Sequence, residues 1–129
     1  MTVGKFRLSA PAEADLDAIL DWSEERFHAV GRMRYAALLV QAMQDLADDP
    51  RREGVEWVRT LKQSVGLYHA WHSRDHDPDP AERVHDPRHA VVFRIAEDGV
   101  VDLLDFVHDH MLRGRALRRI VRGSQSPRH

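Results

Sequence analysis

The stretch Leu8-Ser9-Ala10-Pro11-Ala12-Glu13-Ala14-Asp15-Leu16-Asp17-Ala18-Ile19 decides how this chain is read. Before it, Val3 to Leu8 alternates, with Phe6 and Leu8 on one side and Lys5 and Arg7 on the other. That is the period of a short strand with one wet face. Ser9 stands where a helix takes its N-cap, and Pro11 falls in the first turn, where a missing N–H costs nothing. Leu16, Ile19, Leu20 and Phe27 follow at helical spacing, with Asp15, Asp17, Asp21, Glu24 and Glu25 on the other face. Gly31 reads as a C-cap or turn. A second helical pattern runs from about Arg32 to Asp48, with Met33, Ala36, Leu39, Val40, Met43, Leu46 and Ala47 as its apolar stripe, and Pro50 stops it. Neither stripe can be buried alone. The two helices are therefore expected to form an antiparallel hairpin held by Leu16, Ile19, Leu20, Leu39 and Met43.

Downstream the period changes. Val65 to Trp71, Ala90 to Ile95 and Val100 to Val107 read as strands, the last two joined by the turn Glu97-Asp98-Gly99. Trp57, Val58 and Leu61 fit a short helix or an extended arm. Ser73 to Arg88 holds three prolines and eight charged residues, which no core strand tolerates, and is expected to be an exposed loop. The order strand, helix, helix, strands gives an α+β fold, with an N-terminal strand and a helical hairpin packed on a small antiparallel sheet. Residues 1–129 fit one domain, ending in a basic tail over about 118–129.

With no cysteine among 129 residues, disulfides and thiolate metal sites are excluded. Met1 to Leu8 lacks an apolar signal region, and no run approaches the ~18 apolar residues of a membrane span. The expectation is a cytoplasmic protein with no membrane partner and no cofactor. The net charge of −2 conceals an uneven distribution, because six arginines and no acid follow from Arg113 onward. Such an end suits an acidic partner or nucleic acid, and equally a solvated helix end.

The Leu8–Ile19 stretch resembles the opening of ParE-type toxins, whose first helix is patterned Ala-x-x-Asp-Leu-x-x-Ile, matched by Ala12, Asp15, Leu16 and Ile19. Leu46-Ala47-Asp48-Asp49-Pro50 is similar to the end of that family's second helix. Pro87 to Ile95 resembles its penultimate strand, and Leu103 to Met111 its last strand, closing on a histidine and a methionine. The resemblance covers roughly residues 5 to 117 and points to the ParE/RelE toxin superfamily, nearer its ParE branch. It implies a toxin of a type II toxin–antitoxin system, silenced by a ParD-like antitoxin and directed against DNA gyrase. RelE relatives instead cut mRNA on the ribosome, and a non-toxic antitoxin-binding module is a third possibility on the same fold.

RelE-type cleavage needs cations to stabilise the phosphate and a base for the 2′-hydroxyl. Only Lys5 and Lys62 are lysines, and no tyrosine follows Tyr68. His108 and Arg94 are the remaining candidates for catalysis, so ribosome and mRNA rank below gyrase as partners. Arg7, Arg94, Arg113 and Arg115 are the candidates for pairing with acids of an antitoxin or target. Among nine histidines, His69 and His72 would face opposite sides of a strand, and His76 and His85 lie in the loop. His108 and His110 could share a face, but two ligands fall short of a zinc site, and no metal is expected.

Overall fold

The computed structural model describes residues 5–76, 79, 83–111 and 114–124. Its sheet has five strands, β1 (Phe6–Leu8), β2 (Val55–Thr60), β3 (Gln63–His69), β4 (His89–Ile95) and β5 (Val101–His108), in the order β1-β5-β4-β3-β2. Helix α1 (Ala10–Asp48) covers one face and α2 (Gly114–Ser124) the other. The α+β architecture is as expected, except that β1 pairs parallel with β5 while all other pairs are antiparallel.

Ser9 joins β1 to the first helix as read from the sequence. Its Oγ accepts from the Ala12 amide at 3.0 Å and donates to the Leu104 carbonyl at 2.8 Å, while its N–H donates to the Leu103 carbonyl at 3.1 Å. One residue therefore caps α1 and fixes where the chain leaves the sheet.

The helical hairpin exists, but its break lies at His28 (φ 64°, ψ −169°), three residues before Gly31. A straight helix would hold Trp22 and Tyr35 roughly 20 Å apart, whereas their rings lie 6.0 Å apart, and Arg32 meets Asp21 at 2.8 Å. The chain has doubled back. Gly31 serves close approach, since a Cβ there would lie 2.1 Å from the Phe27 Cβ. The φ/ψ pair at His28 belongs to a region open essentially to glycine and costs about 1–3 kcal/mol for other residues. His28→Gly should therefore raise stability by about 1 kcal/mol once the added unfolded-state entropy is subtracted. Urea denaturation checks this, and an unchanged or lower midpoint would contradict it.

Around the break the core differs from the expected stripe. Ile19, Leu39 and Met43 are buried, while Leu16 and Leu20 pack at the core's edge. Met33 (70% exposed) and Val40 (55%) face outward, and Tyr35, Leu38 and Ala42 take the buried positions. The turn set the phase of the second leg, and the turn was misplaced by three residues.

In the second half, Trp57 and Val58 lie on β2, which turns into β3 through Leu61 (φ 50°) and Lys62 (φ 65°). Two left-handed residues make the tight turn that suits strand twist, here without the Asn-Gly that would announce it. The Glu97-Asp98-Gly99 turn forms as read, with Gly99 at φ 84°. Trp71 and His72 are not on a strand, because β3 ends at His69 and a 3-10 helix spans Ala70–His76. The supposed loop 73–88 thus begins inside a helix. Ser73 is 1% exposed, and its hydroxyl lies 2.5 Å from Asp45 Oδ2 and 2.7 Å from the Tyr68 hydroxyl. The tail reading is likewise corrected over 118–124. Leu117 and Val121 of α2 are buried against Val65, Leu67, Val92, Leu104 and Val107, which puts the arginines of that segment on a packed amphipathic helix.

Candidate functional site

On β5 the register slips between the pairs Val92↔Asp105 and Phe93↔Leu103, leaving Leu104 as an extra residue. The bulge changes which residues face α1: Val101 and Leu103 do so before it, Phe106 after it. Asp105, at the change of phase, looks into a cleft along the side of β5. β1 covers β5 only over Val101–Leu103. Beyond that point, Asp105 to His108 form one wall of a hollow of ≈490 Å³. The first leg of α1 (Asp15, Ala18, Ile19, Trp22) and α2 (Ala116, Arg119, Ile120) form the others. A second hollow of ≈570 Å³ adjoins it and contains Arg7, Leu8, Arg94, Asp102 and Leu104. The two share Asp105, Arg119 and Ile120, so they form one groove.

Arg7 and Arg94, both singled out in the sequence, meet at one end of this groove. Arg7, Asp102 and Arg94 are cross-strand neighbours on β1, β5 and β4. Arg7 donates to Asp102 Oδ1 at 2.9 Å and to both Asp98 oxygens at 2.9 and 3.2 Å; Arg94 lies 3.6 Å from Asp102 Oδ2 and donates to Gln63 at 2.9 Å. Arg7 is exposed and Arg94 half-buried, and the outer part of this ladder is screened by solvent and worth little to stability.

His108 lines the far end of the groove, six residues along β5 from Asp102, or roughly 20 Å at strand rise. The two catalytic candidates, Arg94 and His108, therefore do not converge on one reacting group. Arg113 lies outside the described residues, as does the side chain of Arg115. Arg119, which the sequence reading left within a tail, is the arginine that reaches the middle of the groove.

Asp105 and Asp15 were not singled out as site residues, although Asp15 belongs to the helix motif. Burial first, then a hydrogen bond to the Asp15 carboxyl, push Asp105 up to about 8, so Asp105 holds a proton at neutral pH. Arg7, Arg94, Asp102 and Arg119 are the other charged groups lining the same groove. The only sequence signal was an acid inside the apolar run Leu103 to Val107.

This proton has a pH signature. The folded-state value stands above the unfolded ~3.9, so the native state retains a proton that the unfolded chain releases. The contribution is whole below about pH 4 and is lost as pH rises toward 8. Asp105→Asn, neutral at every pH, should flatten this loss and gain about 2 kcal/mol at pH 8, a figure reduced for the site's partial exposure. Thermal melts of both proteins from pH 5 to 8 test it, and parallel profiles would place the proton elsewhere.

Beside His108 lies a polar cluster. His89 is buried, and burial first, then the neighbouring His108, holds it down to about 4, so its imidazole is neutral. Burial pushes Tyr35 up to about 12. The Tyr35 hydroxyl is hydrogen-bonded to His89 Nδ1 at 2.5 Å and accepts the Arg88 amide at 3.0 Å. A third hollow of ≈850 Å³, under the hairpin turn, is lined by Trp22, Phe27, Val30, Arg26, Arg88 and His108 among others. Phe27 and Val30 are more than half exposed there.

No helix among the described residues is long and apolar enough to cross a membrane. No curated protein sequence matches the chain. The family described as "ParE toxin of type II toxin-antitoxin system, parDE" matches residues 6–113, which take in the whole sheet and both legs of α1 but end before α2. The chain belongs to that family, the ParE toxins of type II toxin–antitoxin systems.

Proposed function

We propose that this toxin acts by binding, with DNA gyrase as its target, and that the tail of a ParD-type antitoxin silences it by occupying the groove along β5. The observation carrying this reading is the groove itself. Leu8, Leu104 and Ile120 supply apolar contact, and Arg7, Arg94 and Arg119 supply charge, while His108 lies roughly 20 Å along β5 from the Arg7–Arg94 end. Membership of a two-component family implies a cognate antitoxin partner. An extended segment with apolar anchors and interspersed acids matches such a groove, and arginine forks would fix its register. Arg7 and Arg94 would exchange Asp98 and Asp102 for carboxylates of the tail.

Induced expression in bacteria, read separately for DNA supercoiling and mRNA cleavage, tests the target. Altered supercoiling with intact mRNA is expected. Codon-dependent cuts that disappear in His108→Ala or Arg94→Ala would replace this reading with the ribonuclease one. For the antitoxin, reversing Arg113, Arg115 and Arg119 to Glu should slow association about ten-fold at low salt and blunt its salt dependence, because rim charge acts mainly on the on-rate. Unchanged kinetics at both salt concentrations would mean that α2 does not face the antitoxin.

A further inference from the structure

At the end of β5 the chain passes directly into a 3-10 turn, Asp109–Met111, and the change of geometry brings three consecutive side chains together. Residues 108 and 109 would point to opposite sides of a continued strand. Here His108 Nδ1 lies 2.5 Å from His110 Nδ1 and 3.1 Å from Asp109 Oδ1, and one ligand atom from each of the three falls within 4.8 Å of the others. We propose that His108, Asp109 and His110 form a binding site for a divalent transition-metal ion of the Zn²⁺ class, with its remaining positions open to solvent. The inference is independent of the toxin's target and of its antitoxin.

The hydrogen bonds say why a cation belongs there. The backbone N–H of His110 points at His108 Nδ1 from 3.3 Å, a long bond that the nitrogen exchanges for the metal. Asp109 Oδ1 lies 3.1 Å from the same nitrogen. A proton on one of these nitrogens bridges a single pair of the three atoms at a time. A metal ion satisfies all three atoms at once.

The geometry needs only a small adjustment. Two ligands on a tetrahedral zinc at ~2.0–2.1 Å stand about 3.3 Å apart, so the imidazole nitrogens must separate by less than 1 Å. His110 is exposed and can supply that by rotating. Two imidazoles and one carboxylate select Zn²⁺, Ni²⁺, Co²⁺ or Cu²⁺ over Mg²⁺ or Ca²⁺, which require mostly oxygen.

The outer shell is already built. The Trp71 amide donates to His69 Nδ1 at 3.0 Å, so the neutral His69 ring carries its proton on Nε2, 3.3 Å from Asp109 Oδ2. His69 thereby orients the carboxylate and leaves Oδ1 for the metal, as second partners commonly do at metal sites. One group competes. Arg88 Nη2 lies 3.4 Å from the same Oδ1 and must withdraw when the ion enters, toward Asp86, already 3.7 Å from its Nη1.

Calorimetric titration of the purified toxin with ZnCl₂, with MgCl₂ as control, tests the site. One saturable Zn²⁺ site per chain is expected, with no Mg²⁺ response. His110→Ala, an exposed change that should leave the metal-free melting temperature unaltered, weakens Zn²⁺ binding at least ten-fold. Arg88→Gln removes the competitor and tightens binding several-fold, an effect that a merely structural histidine cluster would not produce. Absence of a saturable site, or equal affinity in the His110→Ala protein, would overturn the assignment and leave the three groups bridged by a proton.

Discussion

Gly66→Ala should cost at least about 3 kcal/mol, and Gly66→Val should leave no cooperatively folding protein. Gly66 lies in β3 between Trp57 on β2 and Phe93 on β4, its direct cross-strand neighbours. The Phe93 ring lies over the glycine, so an added Cβ would meet Cζ at 2.4 Å and Cε1 at 2.5 Å. The ring has nowhere to go. Phe93 is fully buried, and Trp57 packs on it edge to face at 5.4 Å. Displacing it forfeits much of the 3–5 kcal/mol that a buried phenylalanine contributes, against a total stability of about 5–15 kcal/mol. Urea denaturation of Gly66→Ala, alone and with Phe93→Leu, tests this, since the smaller ring-free side chain should restore part of the loss. A midpoint near wild type in the single variant would show that the ring moves freely.

Asp45→Ala should be comparably damaging, by about 3–5 kcal/mol, through a different cause. Asp45 is 5% exposed and sits 3.1 Å from Arg52 Nη1, 2.8 Å from Gln41 Nε2 and 2.5 Å from the Ser73 hydroxyl. Ser73 in turn holds the Tyr68 hydroxyl, and Arg52 lies over the Tyr68 ring at 5.5 Å. Removing the carboxylate leaves a largely buried guanidinium and a buried serine without their acceptor, which costs more than the intact pair contributes. The same carboxylate ties the 3-10 helix Ala70–His76 to α1, so limited proteolysis should cut the following segment much faster in the variant. Replacing both ends of the pair, with Asp45→Leu and Arg52→Met together, should recover most of the stability. If Asp45→Ala alone melts like wild type, the network is ornamental.

Both residues were silent in the sequence for physical reasons. A glycine inside Val65-Gly66-Leu67-Tyr68 matches any strand with a close approach, and nothing local says that Phe93 is what approaches. Asp45 reads as one more polar residue of the second leg of α1. It is buried only because Ser73 returns to it from 28 positions away. The same holds for Asp105, whose retained proton depends on a bulge and on α1 crossing beside it. Arg119 looked like part of a charged tail until Leu117 and Val121 were placed against β5 and its neighbours.

Within α1, hydrophobic period located both legs, while the position of the break set which residues went inside. His28 adopts a conformation that no sequence rule assigns to histidine, so Gly31 drew the turn to the wrong place. Met33 and Val40 were then counted as core, and Tyr35, which holds His89, was not.

By itself the sequence determined the α+β class, the Ser9 cap, the Pro50 stop, the Glu97–Gly99 turn and the family, because each rests on local spacing or on residues in fixed order. Tertiary structure alone decided the parallel β1–β5 pair, the phase of the second leg and the groove in which Arg7, Arg94 and Arg119 meet. It also decided the convergence of His108, Asp109 and His110, where a strand gives way to a 3-10 turn. Those features depend on which distant segments come into contact and on a few strained residues at the joins. Local propensity carries no record of either, since the energy that fixes them comes from burial and from polar groups whose partners lie far along the chain.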